Sequence, residues 1–177
     1  MNPPINDPQE ILRARARDLA QSPEPVPDPG AMLDLLEFRL AQERYAIENR
    51  HIQEVCPFKE LTLLPCTPAF IRGIVNLRGR ILPVLDLKRF FGLPEIGLTD
   101  LHRIILVRGA DLEFGLLADD ITGLRTIPVG SVQPAPPTLT GIRSDYLKGV
   151  TAERLIVLDL ARILTDPGII VNEEVEA

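Results

Sequence analysis

The stretch from Phe70 to Phe90, FIRGIVNLRGRILPVLDLKRF, returns in shortened form from Tyr146 to Leu164 as YLKGVTAERLIVLDLARIL. Phe70-Ile71-Arg72-Gly73-Ile74 aligns with Tyr146-Leu147-Lys148-Gly149-Val150. Leu82-Pro83-Val84-Leu85-Asp86-Leu87 aligns with Leu155-Ile156-Val157-Leu158-Asp159-Leu160. The second copy is three residues shorter, and the gap falls in the charged hinge Asn76-Leu77-Arg78-Gly79-Arg80. Upstream, Phe38, Tyr45, Ile47, Ile52 and Val55 match Val107, Phe114, Leu116, Ile121 and Leu124 at a constant offset of 69 residues. Self-similarity of this kind means one supersecondary unit used twice, each copy burying the face the other cannot cover alone. The units span about 32–91 and 102–165.

Each unit reads as short strands. LLEFRL is a strand candidate, and ERYAIEN alternates with Tyr45 and Ile47 on one face and Arg44, Ala46 and Glu48 on the other. RHIQEVCPF gives another that ends at Pro57, and RIILVRG and LEFGLLA follow later. DLKRFFG reads as a short helix with Gly92 as its stop. Asp86 and Asp159 fall at helix starts, where a capping carboxylate is favourable. Many short strands with close turns predict small barrels, which remove exposed sheet edges, and two packed barrels would leave a groove between them. The hinge sits at a hairpin turn, where Gly79 permits a positive φ and Asn76 suits the turn. Arg78 is either a solvated turn arginine or one held by a nearby carboxylate to shape a binding face.

Ahead of the repeats, residues 1–30 read as an arm and linker outside the folded body. DPQEILRARARDLA, 7–20, has the capping pattern of a short helix, with Asp7, Pro8 and Glu10 in place. Proline at every second position from Pro23 to Pro29 then favours an extended spacer. The arm is read as a leader rather than a docking helix. The folded body is expected over 31–168 and an acidic tail over 169–177.

The chemistry of the side chains argues against catalysis. No phosphate loop, HExxH or GxSxG pattern occurs. His51 and His102 are read as strand-face or strand-start histidines, and Ser144 as a turn or cap residue. Asp119-Asp120 is read as a surface turn, since adjacent strand residues face opposite ways and share an ion poorly. Cys56 and Cys66 fit no zinc spacing and read as reduced thiols. The net charge of −6 comes from the termini and leaves the middle nearly balanced, so nucleic acid is not expected as a partner. The basic cluster Arg72, Arg78, Arg80, Lys88 and Arg89 suits either an acidic partner or the polar rim of a barrel. No apolar run is long enough to span a membrane and no secretory leader pattern opens the chain, which predicts a cytoplasmic protein without cofactor or metal.

TPAFIRGIVNLRGRILPVLDLKRFFGLP resembles the signature of the CheW family of bacterial chemotaxis coupling proteins. SVQPAPP, YLKGV and LIVLDLARIL resemble the family's second half, so the likeness runs from about Leu33 to Thr165. It implies a mostly all-β fold of two SH3-like five-stranded β-barrel subdomains with short helices. It implies an adaptor without enzymatic activity that links the cytoplasmic tips of methyl-accepting chemoreceptors to the regulatory domain of a CheA-type histidine kinase. Membrane association would come only through such partners. The family's motif arginine matches Arg78, and the glutamate of its QE strand segment matches Glu54; the likeness implies that these two pair. Asn76, Leu77 and Gly79 complete the hinge, and Ile52 and Val55 belong either to the partner face or to the core beneath it. The added arm raises a further reading, a regulator of a non-flagellar chemosensory pathway or a docking element for one particular partner; a separate alternative is a small-molecule sensor using the inter-barrel groove.

Overall fold

The computed structural model describes residues 30–58, 61–95, 97, 101–109, 112–136 and 142–169. The expected arm helix, the proline-rich spacer and the tail beyond residue 169 lie outside the described residues. Ten strands follow in order: β1 (Met32–Leu40), β2 (Glu43–Glu48), β3 (Ile52–Pro57), β4 (Ile71–Leu77), β5 (Arg80–Leu85), β6 (Arg103–Arg108), β7 (Glu113–Ala118), β8 (Asp120–Pro128), β9 (Leu147–Val150) and β10 (Leu155–Leu158). Short helices α1 (Leu87–Phe91), α2 (Ile142–Asp145) and α3 (Leu160–Thr165) lie after β5, before β9 and after β10.

The strands form two five-stranded sheets, ordered β8-β1-β2-β10-β9 and β3-β6-β7-β5-β4. Under the repeat, β1 to β5 correspond to β6 to β10, and this substitution converts one sheet order into the other. The units 32–91 and 102–165 are therefore real repeats, but they are not the two subdomains expected from the sequence. Each sheet joins the first hairpin of one repeat to the last three strands of the other, and β2 runs parallel to β10 as β5 does to β7. Two short connectors make the exchange. Asn49–His51 carries the chain from the first sheet into the second, and the single residue Asp119 carries it back.

Most strands are buried on both faces, which explains their nearly unbroken apolar runs. In β6, Ile104 and Leu106 face a cluster inside the second sheet, while Ile105 and Val107 face a larger cluster between the sheets. In β10, Leu155 and Val157 face the interior of the first sheet and Ile156 and Leu158 the shared cluster. The expected groove between the units is thus filled at its centre by Phe38, Tyr45, Ile47, Phe91, Phe114 and Leu116. Burying both apolar faces leaves little reason for the sheets to part there.

Each sheet curls until its outer strands approach. Thr62, past the end of β3, forms an antiparallel bridge to Ile74 of β4, and Gln133, past β8, does the same with Val150 of β9. These crossings explain why glycine recurs in both repeats. A Cβ at Gly73 would lie 2.5 Å from the Thr62 carbonyl oxygen, and one at Gly149 would lie 2.3 Å from that of Gln133. Both helices after the closing hairpins start as expected: Asp86 accepts from the Lys88 amide and Asp159 from the Arg162 amide. Gly92 ends α1 in the left-handed region, φ 65°.

Candidate functional site

β3 and β4 are the outer strands of the second sheet, and the hinge caps the seam between them. Arg78 and Gly79 are the two loop residues joining β4 to β5, with φ of 54° and 84°. Two positive φ values in a two-residue loop give the turn whose twist matches the strands it connects. Asn76 fixes it by accepting from the Gly79 amide at 2.9 Å. The turn holds Arg78 out into solvent, with 81% of its side chain exposed, yet its Nη1 sits 3.1 Å from Glu54 Oε2 on β3. An ion pair this exposed contributes about 0–1 kcal/mol at most. Its consequence is directional: it aims an otherwise free guanidinium along one edge of the sheet.

The remaining expected site residues separate by burial. Val55 is 40% exposed and faces outward, whereas Ile52 packs against the shared core between the sheets. A register shift between Ile52 and Glu54 accompanies this change of face. Leu77 is buried in the second sheet's interior cluster, so it supports the turn from beneath and offers no contact surface. Glu54, Val55, Cys56, Pro57, Leu77 and Arg78 line a cleft of about 360 Å³ along the seam.

The basic cluster is a rim already neutralised from within. Arg80 donates to both oxygens of Glu113 at 2.7 and 2.9 Å. Arg89 pairs with Glu95 at 3.0 Å and Arg72 approaches the same carboxylate at 3.7 Å. The hydrogen bond from Arg89, reinforced by both guanidinium charges, holds the Glu95 carboxyl below its usual range. Arg72 and Arg89 also border a groove of about 790 Å³ over Phe58, Leu61, Leu64 and Ile71. Lys88 does not belong to the rim at all. It is 1% exposed and its ammonium pairs with Asp119.

Asp119 is therefore not the surface-turn residue expected of it. Oδ1 meets Lys88 and lies 3.0 Å from His102 Nε2, and Oδ2 accepts from the Ala41 amide at 2.6 Å. Of the two readings of the histidines, the strand-start one holds: His102 is buried immediately before β6, and His51 ends the connector immediately before β3. Position 119 is where the chain passes between sheets, so its carboxylate reaches groups of both. The adjacent acid pair drew attention in the sequence, but nothing local indicated that Lys88 would be buried opposite it.

A second feature escaped sequence reasoning. The first sheet has a seam at the corresponding place, between β8 and the β9–β10 turn, and an ion pair spans it with the charges exchanged. Arg125 on β8 donates to Glu153 in the turn at 2.6 Å, which raises the guanidinium above its usual value. Buried Glu37 stands behind, 3.3 Å from Arg44 and 3.5 Å from Arg125. Leu124, the counterpart of Val55, is 73% exposed. Among the described residues, no group of three or more His, Cys, Asp or Glu side chains is placed to hold a metal ion, and no helix is long and apolar enough to cross a membrane. Both cysteines are thiols, Cys56 buried and Cys66 exposed.

The sequence pattern of the CheW-like domain family matches residues 34–168. Chemotaxis protein CheW of Treponema pallidum (strain Nichols) is 30% identical over 138 residues, covering 74% of this chain and 81% of that protein. Protein FrzA of Myxococcus xanthus is 33% identical over 132 residues, covering 72% and 82% respectively. The crystal structure of scaffolding protein TtCheW from Thermoanaerobacter tengcongensis superposes with a TM-score of 0.69 at 33% identity, covering 78% of this chain and 96% of that one.

Proposed function

The chain belongs to the CheW-like domain family, and from that membership we propose that it is a non-enzymatic adaptor coupling chemoreceptors to a CheA-type histidine kinase. Two partners are assigned: the kinase regulatory domain and the cytoplasmic tip of a methyl-accepting receptor. The observation that carries the site is Arg78, exposed on a tight turn and aimed by Glu54 beside the outward-facing Val55. A fixed cation next to an apolar side chain suits a helical or strand surface presenting a carboxylate beside an apolar residue. Asn76 and Gly79 shape the turn, Leu77 supports it from the core, Ile52 anchors the start of β3 in the core between the sheets, and Arg78, Glu54 and Val55 form the contact. Control of the kinase then follows from which partner arrangement these contacts favour. The same reading serves a pathway feeding flagella and one that does not.

The test is a titration of the full chain, wild type and Arg78→Ala, against the kinase regulatory domain and a receptor-tip fragment from the same cell. The wild type is expected to bind both in the micromolar range or tighter. Arg78→Ala is expected to weaken at least one of them while the protein stays folded. Binding of both partners by folded Arg78→Ala at wild-type strength would remove the site. Failure of the wild type to bind either would remove the adaptor role.

A further inference from the structure

The Glu54 carboxylate has two oxygens and divides them. Oε2 takes Arg78, and Oε1 accepts from Cys56 Sγ at 2.9 Å. Cys56 lies two residues along β3 from Glu54, so both side chains point to the inner face, and the Cys56 side chain belongs to the interior cluster of Val75, Leu77, Leu82 and Val84. The exposed guanidinium is thereby linked through one carboxylate to a side chain fixed by core packing. Glutamate has three rotatable bonds of its own, and a partner on Oε1 removes most of the freedom that a solvent-facing carboxylate keeps.

The internal repeat supplies an independent comparison. At the 69-residue offset, Cys56 corresponds to Arg125, and each follows an exposed apolar residue, Val55 or Leu124. In the first sheet that position closes the seam directly, since Arg125 reaches Glu153 in the hairpin turn. In the second sheet a cysteine is too short to cross, and it acts one step back, on the glutamate that does. The same strand position thus serves both seams.

We propose that Cys56 is a positioning residue for the partner-binding face, orienting Glu54 so that Oε2 holds Arg78. This rests on the reading that Arg78 contacts the kinase or receptor. The test uses the full chain with Cys56→Val, which fills the space without a donor, and Cys56→Ser, which keeps one. Each is made in the wild-type and Arg78→Ala backgrounds. Two quantities are measured: affinity for the kinase regulatory domain and receptor tip, and the side-chain N–H resonances of Arg78 by NMR. Cys56→Val is expected to weaken binding roughly threefold to tenfold, the range for one lost hydrogen bond of this kind, and to shift the Arg78 resonances towards those of a free guanidinium. Cys56→Ser is expected to restore both, and Cys56→Val is expected to change nothing further once Arg78 is alanine. Unchanged Arg78 resonances in Cys56→Val would overturn the proposal, as would an equal loss of affinity in both backgrounds. If Arg78→Ala alone leaves binding intact, the adaptor site fails, and the resonances still decide whether Cys56 orients the pair.

Discussion

Replacing Asp119 with alanine removes one carboxylate that serves three groups at the point where the chain passes between the sheets. The Lys88 ammonium, in a side chain 2% exposed, would lose the anion opposite it. Removing one partner of a buried ion pair costs about 3–5 kcal/mol, because the remaining charge stays desolvated. The Ala41 amide loses its acceptor as well, a loss of about 1–3 kcal/mol when taken alone. The two losses overlap, since both groups share the one carboxylate and are not independent, so the expected total is about 4 kcal/mol. For a chain of this size that lowers Tm by roughly 8–16 °C. Urea denaturation followed by far-ultraviolet circular dichroism measures it. Asp119→Leu combined with Lys88→Met is the informative control. Removing both charges leaves no buried ion, and the double variant should be more stable than Asp119→Ala. A cost below about 1 kcal/mol for Asp119→Ala, the range of solvent-exposed pairs, would refute the reasoning. So would a double variant no more stable than the single one.

Two further outcomes test how the sheets close and how α3 is held. Gly73→Ala and Gly149→Ala each force a Cβ into a backbone carbonyl at a bridge and should cost about 1–3 kcal/mol. Gly79→Ala meets nothing within 4 Å and bears only its φ of 84°, so it should cost less, about 1 kcal/mol; the reverse order in chemical denaturation would contradict the bridge geometry. The Tyr146 hydroxyl is pushed up to about 12 by its hydrogen bond to Asp166, then by burial and by the carboxylate's charge. A raised folded value means this contribution is complete below the unfolded tyrosine's value of about 10 and is lost as pH rises through the folded one. The stability difference between wild type and Tyr146→Phe should therefore be constant up to about pH 9 and vanish by about pH 12, and a difference unchanged at pH 12 would show that the bond does not carry it.

Much of the architecture was written in local pattern. The repeat offset placed Phe38 with Val107 and Tyr45 with Phe114, and all four are buried in one cluster. Turn chemistry placed Asn76 and Gly79, and capping chemistry placed Asp86 and Asp159. These readings hold because each depends on a few neighbouring residues: the two-residue period of a strand, the φ a turn requires, the free amides at a helix start. The paired glycines were visible as part of the repeat, although their reason, a carbonyl crossing a neighbouring strand, lies in another segment.

Which strands pair was not written there. When a chain carries two similar units, the first hairpin of either can complete either set of three strands, and the apolar pattern is satisfied both ways. The chain changes sheet at Asn49–His51 and at Asp119, and no local pattern in either segment marks the change. The same holds for the residues that sequence reading placed wrongly or left open. Lys88 is buried, Asp119 is shared between sheets, Arg125 meets Glu153, and Val55 faces out while Ile52 packs inward. Sequence alone determined the strands, turns and caps, and singled out Arg78 at the hairpin turn. Tertiary structure decided what each charge faces, because an ion pair between residues far apart in the chain leaves no periodic trace in either segment.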